Sequence, residues 1–177
     1  MTKWVGWVSS GLVGALYGVA VLNVNGVAAQ SPGTLGMLAV TVEVELGCPS
    51  CAQGLERRLN RLDGVAQAKT RVAEGQVVLT PEPDRSLDLD AVREVVLNAG
   101  FMPTGLVLSA VGRVTESNDG PALVLSDGVV LVLATGEQTD AVVAAAKGRI
   151  VRVMGHMRFL SAAVAPLRVD TFEMSSR

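Results

Sequence analysis

From Leu38 to Leu46 the chain alternates without a break: Leu38, Val40, Val42, Val44 and Leu46 point one way, Ala39, Thr41, Glu43 and Glu45 the other. A period of two with one charged face predicts a half-buried strand. Gly47-Cys48-Pro49-Ser50-Cys51 then interrupts the strand, and Ala52, Leu55, Leu59 and Leu62 recur at spacings of three and four. That spacing predicts an amphipathic helix with Gln53, Glu56, Arg57, Arg58, Asn60 and Arg61 on its solvated side, stopped by Asp63-Gly64. Strands follow at 65–72 and 76–80. Asp88 is placed to cap a second helix bearing Leu89, Val92, Val96 and Ala99, which ends at Gly100, and residues 102–108 offer a fourth strand. Strand–helix–strand–strand–helix–strand is the split order of an α+β, ferredoxin-like sandwich.

Beyond Ala110 the texture changes. Short strands are expected at 111–117, 122–125, 129–133, 149–154 and 167–172, with a helix over 140–147. Three strands, a helix and two strands is the element order of a small OB-like β-barrel. The expected division is therefore a first domain at 38–106 and a barrel at 107–173.

The first thirty residues form a third region. Lys3 precedes an uncharged apolar run from Trp4 to Leu22, and Val27 and Ala29 stand at the −3 and −1 positions of a cleavage site. Residues 1–29 thus read as a signal peptide, with an uncleaved anchor as the alternative, and 30–37 as a linker. The expected location is periplasmic or secreted, membrane-anchored if the leader is retained. The mature part has no further long apolar run and is expected to be soluble.

The chain of 177 residues has a net charge of −2 and only 3% aromatic residues. It has no basic patch interleaved with aromatics, which argues against nucleic-acid binding. The single histidine has no arranged partners for a Ser/His/Asp set, and Asp84, Asp88 and Asp90 lack the glycine and terminal glutamate of a calcium loop. No enzymatic activity is expected.

The two cysteines, Cys48 and Cys51, carry the chemistry. A structural disulfide closing so short a loop contributes little, which leaves a redox dithiol and a metal site. Cys51 is expected in the first helical turn, where the helix dipole favours a thiolate, and Cys48 on a loop loosened by Gly47. Two soft sulfurs suit an ion of low coordination number, Cu(I) or Hg(II). A structural Zn(II) site needs four ligands and is less favoured.

Cys48-Pro-Ser-Cys51-Ala-Gln-Gly-Leu-Glu, then Leu59, Leu62, Asp63-Gly64-Val65 and finally Asn98-Ala-Gly-Phe101, resemble the heavy-metal-associated domain. This is the module of copper chaperones, copper-pumping ATPases and periplasmic mercury-binding proteins. The likeness runs from Val40 to Gly105. It implies that Cys48 and Cys51 ligate one ion, that Phe101 shields the site, and that the ion passes to or from a donor or acceptor protein such as a membrane transporter. Leu46 stands where the family has methionine, a mild swap of similar volume, with Gly47 between it and the first cysteine. Met102 and Pro103 follow Phe101 where some relatives have lysine. Outside the likeness, Met154, His156 and Met157 could form an auxiliary copper site. The preferred reading puts the methionines in the core and His156 in water. A thiol–disulfide redox protein, or an interaction module with the cysteines permanently bridged, remains the alternative.

Overall fold

The computed structural model describes residues 36–160 and 163–175; the expected leader and most of the linker lie outside the described residues. The first six elements are β1 (Gly36–Val44), α1 (Pro49–Leu59), β2 (Val65–Arg71), β3 (Gln76–Pro81), α2 (Leu89–Asn98) and β4 (Pro103–Ser117). Their order is the one the patterning predicts. β1 pairs antiparallel with β3 on one side and β4 on the other, and β2 forms the edge beyond β3. Ala52, Leu55 and Leu59 of α1 and Val92 and Val96 of α2 are buried with Val40, Val42, Val77, Leu79, Leu106 and Leu108 of the strands.

The alternation along β1 changes phase at its start. A bulge between Met37 and Ala39 puts Met37 in the core and leaves Leu38 only half-buried. The extra residue shifts which side chains face inward, and a period-two pattern cannot reveal it. The strand also begins two residues earlier than expected, so Gly36 and Met37 belong to the sheet rather than to a linker.

Helix ends explain how the site-bearing loops are held. Asp88 caps α2, its Oδ1 accepting from the N–H groups of Asp90 and Ala91, both at 3.0 Å. At the other end Gly100 takes a left-handed φ of 85°. Its N–H donates to Leu97 O at 2.9 Å, and the Phe101 N–H donates to Val96 O at 3.2 Å. This paired closure satisfies two end carbonyls and folds Phe101 back against the core.

Glu56 and Asn60, assigned by periodicity to the solvated side of α1, reach the edge strand instead. Asn60 Oδ1 accepts from the Ala68 N–H at 2.8 Å, and its Nδ2 donates to Ala68 O at 3.1 Å. Glu56 Oε2 accepts from the Thr70 N–H at 2.7 Å and from the Thr70 hydroxyl at 2.9 Å. These contacts occupy backbone groups on β2 that an open sheet edge would offer to another strand. Asn60→Ala leaves both Ala68 groups without these partners, and the expected cost is about 1–2 kcal/mol. A lower denaturant midpoint at unchanged slope would record it; an unmoved midpoint would mean that water replaces the amide without loss.

Past residue 103 the structure departs from the expected division. The strands anticipated at 102–108 and 111–117 are one strand, β4, of 15 residues. Its first part lies between β1 and β7 (Ile150–Arg158), with Gly105 through Arg113 paired to Arg158 through Ile150. Its last part pairs with β5 (Gly120–Val124), which pairs with β6 (Val130–Val132). After α3 (Glu137–Ala146), β8 (Arg168–Met174) pairs with β7. One core cluster runs through both parts, and Ser31–Arg177 forms one compact unit. The boundary drawn at 107 therefore falls inside a strand, not at a break in packing.

Nor does the sheet close into the expected OB-like barrel. Leu133, just after β6, and Leu167, just before β8, meet in a single isolated parallel bridge. Two hydrogen bonds accompany it, Leu167 N–H to Val132 O and Ala134 N–H to Leu167 O, both 2.8 Å. With only three residues, β6 is too short to pair along β8.

A carboxylate ties the two parts together. Asp127, in the turn between β5 and β6, accepts from the Ser86 N–H at 2.6 Å and from the Val129 N–H at 3.3 Å. Partial burial raises its pKa, but the hydrogen bonds from Ser86 and Val129 outweigh this and hold the group below the ordinary carboxylate range. A folded pKa below the unfolded one contributes stability above the unfolded value, which is lost as pH falls through the folded value. Asp127→Asn should therefore melt earlier than the wild type at neutral pH, with the gap closing on acidification. Melting temperature measured against pH checks this, and a gap independent of pH would contradict it.

Candidate metal site

Three residues, 45–47, carry the chain from β1 to the first cysteine. Leu46 is buried in the core, as a residue standing in for methionine should be, while Glu45 and Gly47 are exposed. At Gly47 an added Cβ would meet nothing within 4 Å, so the loop is open on that side.

Cys48 is the N-cap of α1, with φ −147° and ψ 121°. Its Sγ accepts from the Cys51 N–H at 3.3 Å and lies 3.1 Å from Ser50 Oγ. Pro49 occupies the first helical position, where a missing N–H costs nothing. Cys51, two residues into the helix, is exposed; Cys48 is half-buried. The Cα atoms are 5.2 Å apart and the sulfurs are at disulfide distance. A metal ion would require the pair to be reduced and parted. The freedom for that movement belongs to Cys48, outside the helix, because Cys51 sits in regular helical backbone. The partial positive charge of the helix N-terminus favours anionic sulfur there.

The other candidates fare differently. Phe101 is half-buried and packs on the core. Met154, His156 and Met157 all lie on β7, but strand alternation separates them: Met157 is 7% exposed and faces the core, while Met154 is 48% exposed. His156 Nδ1 pairs with the Asp170 carboxylate at 2.9 Å. The three donors are not brought together, and the expectation that both methionines fill the core holds for Met157 alone. Among the described residues no group of three or more His, Cys, Asp or Glu side chains could hold a metal.

An α+β sheet domain with a dithiol at the head of its first helix is the class of structure these elements define. Residues 41–102 match the heavy-metal-associated domain, and this segment of the chain is such a domain. The match takes in both cysteines and runs from β1 to the loop before β4. No curated protein matches the chain. Among solved structures it is similar to a CopZ metallochaperone, at 24% identity, covering 37% of this chain and 97% of that one, with a TM-score of 0.34.

Proposed function

We propose that the protein binds a soft metal ion as cargo, Cu(I) or Hg(II), between the thiolates of Cys48 and Cys51 and hands it to a partner protein. The observation that carries this reading is the convergence of the two sulfurs at the exposed head of α1 within a heavy-metal-associated domain. Two thiolates satisfy an ion of low coordination number, and a partner thiol can add before the first ligand leaves, so exchange needs no catalysis. Zn(II) would want more donors than the pair supplies.

With the leader-like first 29 residues, the reading places this exchange outside the cytoplasmic membrane, with a metal donor or a membrane transporter as partner. We read the strands after residue 107 as an OB-type arrangement left open between β6 and β8, serving either to dock such a partner or to place the carrier at a membrane complex. The disulfide distance between the sulfurs favours one second reading, a thiol–disulfide exchanger.

Titration of the fully reduced protein with Cu(I), Hg(II) and Zn(II) against a competing chelator tests the proposal. One equivalent of Cu(I) or Hg(II) should bind. Failure with all three ions, together with metal-independent reduction or oxidation of a test protein, would favour the exchanger.

A further inference from the structure

The start of β4 lies at the same end of the sheet as the dithiol loop. Pro103 is the cross-strand partner of Val44, the last residue of β1 before the loop that reaches Cys48. Paired strands run about 5 Å apart, so the residue preceding Pro103 lies next to the outset of that loop. The register slips between Glu43 and Val44, and across that irregularity the Thr104 hydroxyl donates to Glu43 O at 3.3 Å. On its other side the residue is anchored by the Gly100–Phe101 closure of α2, with Phe101 packed on the core.

The residue between these anchors is Met102, which is 68% exposed, more than any other large apolar side chain among the described residues. Met37 and Met157 fill the core; Met102 contributes almost nothing to it. A methionine held in water at the end of the sheet from which the cysteine loop departs has one chemical distinction, a neutral soft sulfur donor.

We propose that the Met102 thioether is a third donor to Cu(I) held by Cys48 and Cys51, and that it biases the site towards Cu(I). The proposal rests on the carrier reading above. Cu(I) accepts a third soft ligand readily; Hg(II) is satisfied by two thiolates, and Zn(II) gains little from a thioether. The thioether adds no charge, so it can retain the ion in water and still yield to an incoming partner thiolate.

The test uses full-length reduced protein labelled with selenomethionine, loaded with one equivalent of Cu(I) and examined by X-ray absorption at the copper and selenium edges. A copper–selenium scattering path should appear in the wild type and vanish in Met102→Leu, which keeps the apolar bulk. The same variant should bind Cu(I) about tenfold more weakly, the low end of what losing a supporting group costs a metal site, with Hg(II) affinity unchanged. Bound copper without a selenium neighbour, a path that persists in Met102→Leu, or equal Cu(I) affinities would overturn this inference and leave the carrier reading standing. If neither protein binds Cu(I), both fall.

Discussion

Cys51→Ser is expected to remove soft-ion binding while leaving the fold intact. The Cys51 side chain is exposed, and its backbone N–H, which completes the cap to Cys48 Sγ, survives the change. What is lost is one of two tethered donors, and linking two binding groups enhances affinity by about 10²–10⁴. Cu(I) should therefore stay with the competing chelator, although the unfolding midpoint barely moves. Cys48 separates the two roles more sharply. Serine is among the preferred N-caps, so Cys48→Ser should lose the ion and keep the helix start. Cys48→Ala should lose the ion and about 0.5–2 kcal/mol besides. The same chelator titration, run with urea unfolding of each reduced variant, reads both effects. Retention of wild-type Cu(I) affinity by either serine variant would mean that the dithiol is not the site.

Local pattern carried the stretch from Val40 to Gly100 well, because each element there announces itself by its own periodicity and caps. The alternation from Val40, the three-and-four spacing of Ala52, Leu55 and Leu59, and Asp88 ahead of Leu89 each act within a few residues. The cysteine pair was legible for the same reason: Cys48 and Cys51 are three residues apart. Three other features depend on partners distant in sequence. Glu56 and Asn60 read as solvated because the edge they cover, Ala68 and Thr70, belongs to another element. The bulge at Met37–Ala39 exists only relative to β4. And β4 read as two strands in two domains because nothing local to Ser109–Gly112 says that β7 will pair across the join. The exposed Met102 was visible only as a substitution in a motif; its place beside the loop at 45–48 comes from the Val44–Pro103 pairing.

That shared strand makes the second large prediction. Gly155 in β7 lies against β8 so closely that a Cβ would stand 2.2 Å from the Arg168 carbonyl oxygen and 2.9 Å from Leu167 Cδ1. A backbone oxygen cannot swing aside as a flexible side chain can, and Leu167 is fully buried. It also forms the bridge to Leu133, just past the end of β6, and takes part in both hydrogen bonds there. Gly155→Ala should therefore cost at least the upper end of the roughly 1–3 kcal/mol typical of overpacking. Gly54→Ala is the control. Gly54 lies in α1, nothing comes within 4 Å of an added Cβ, and the change should stabilise the helix by about 0.5–1 kcal/mol. Because β4 is paired to β1 and β7 at once, damage at Gly155 should not stay in the last strands. Urea unfolding of reduced Gly155→Ala should show one transition at a much lower midpoint, with Cu(I) binding lost in the same transition. Two separate transitions, with the dithiol still holding Cu(I) after the later strands have melted, would show that the heavy-metal-associated domain stands without them; a midpoint equal to that of Gly54→Ala would show that β7 and β8 can part at no cost.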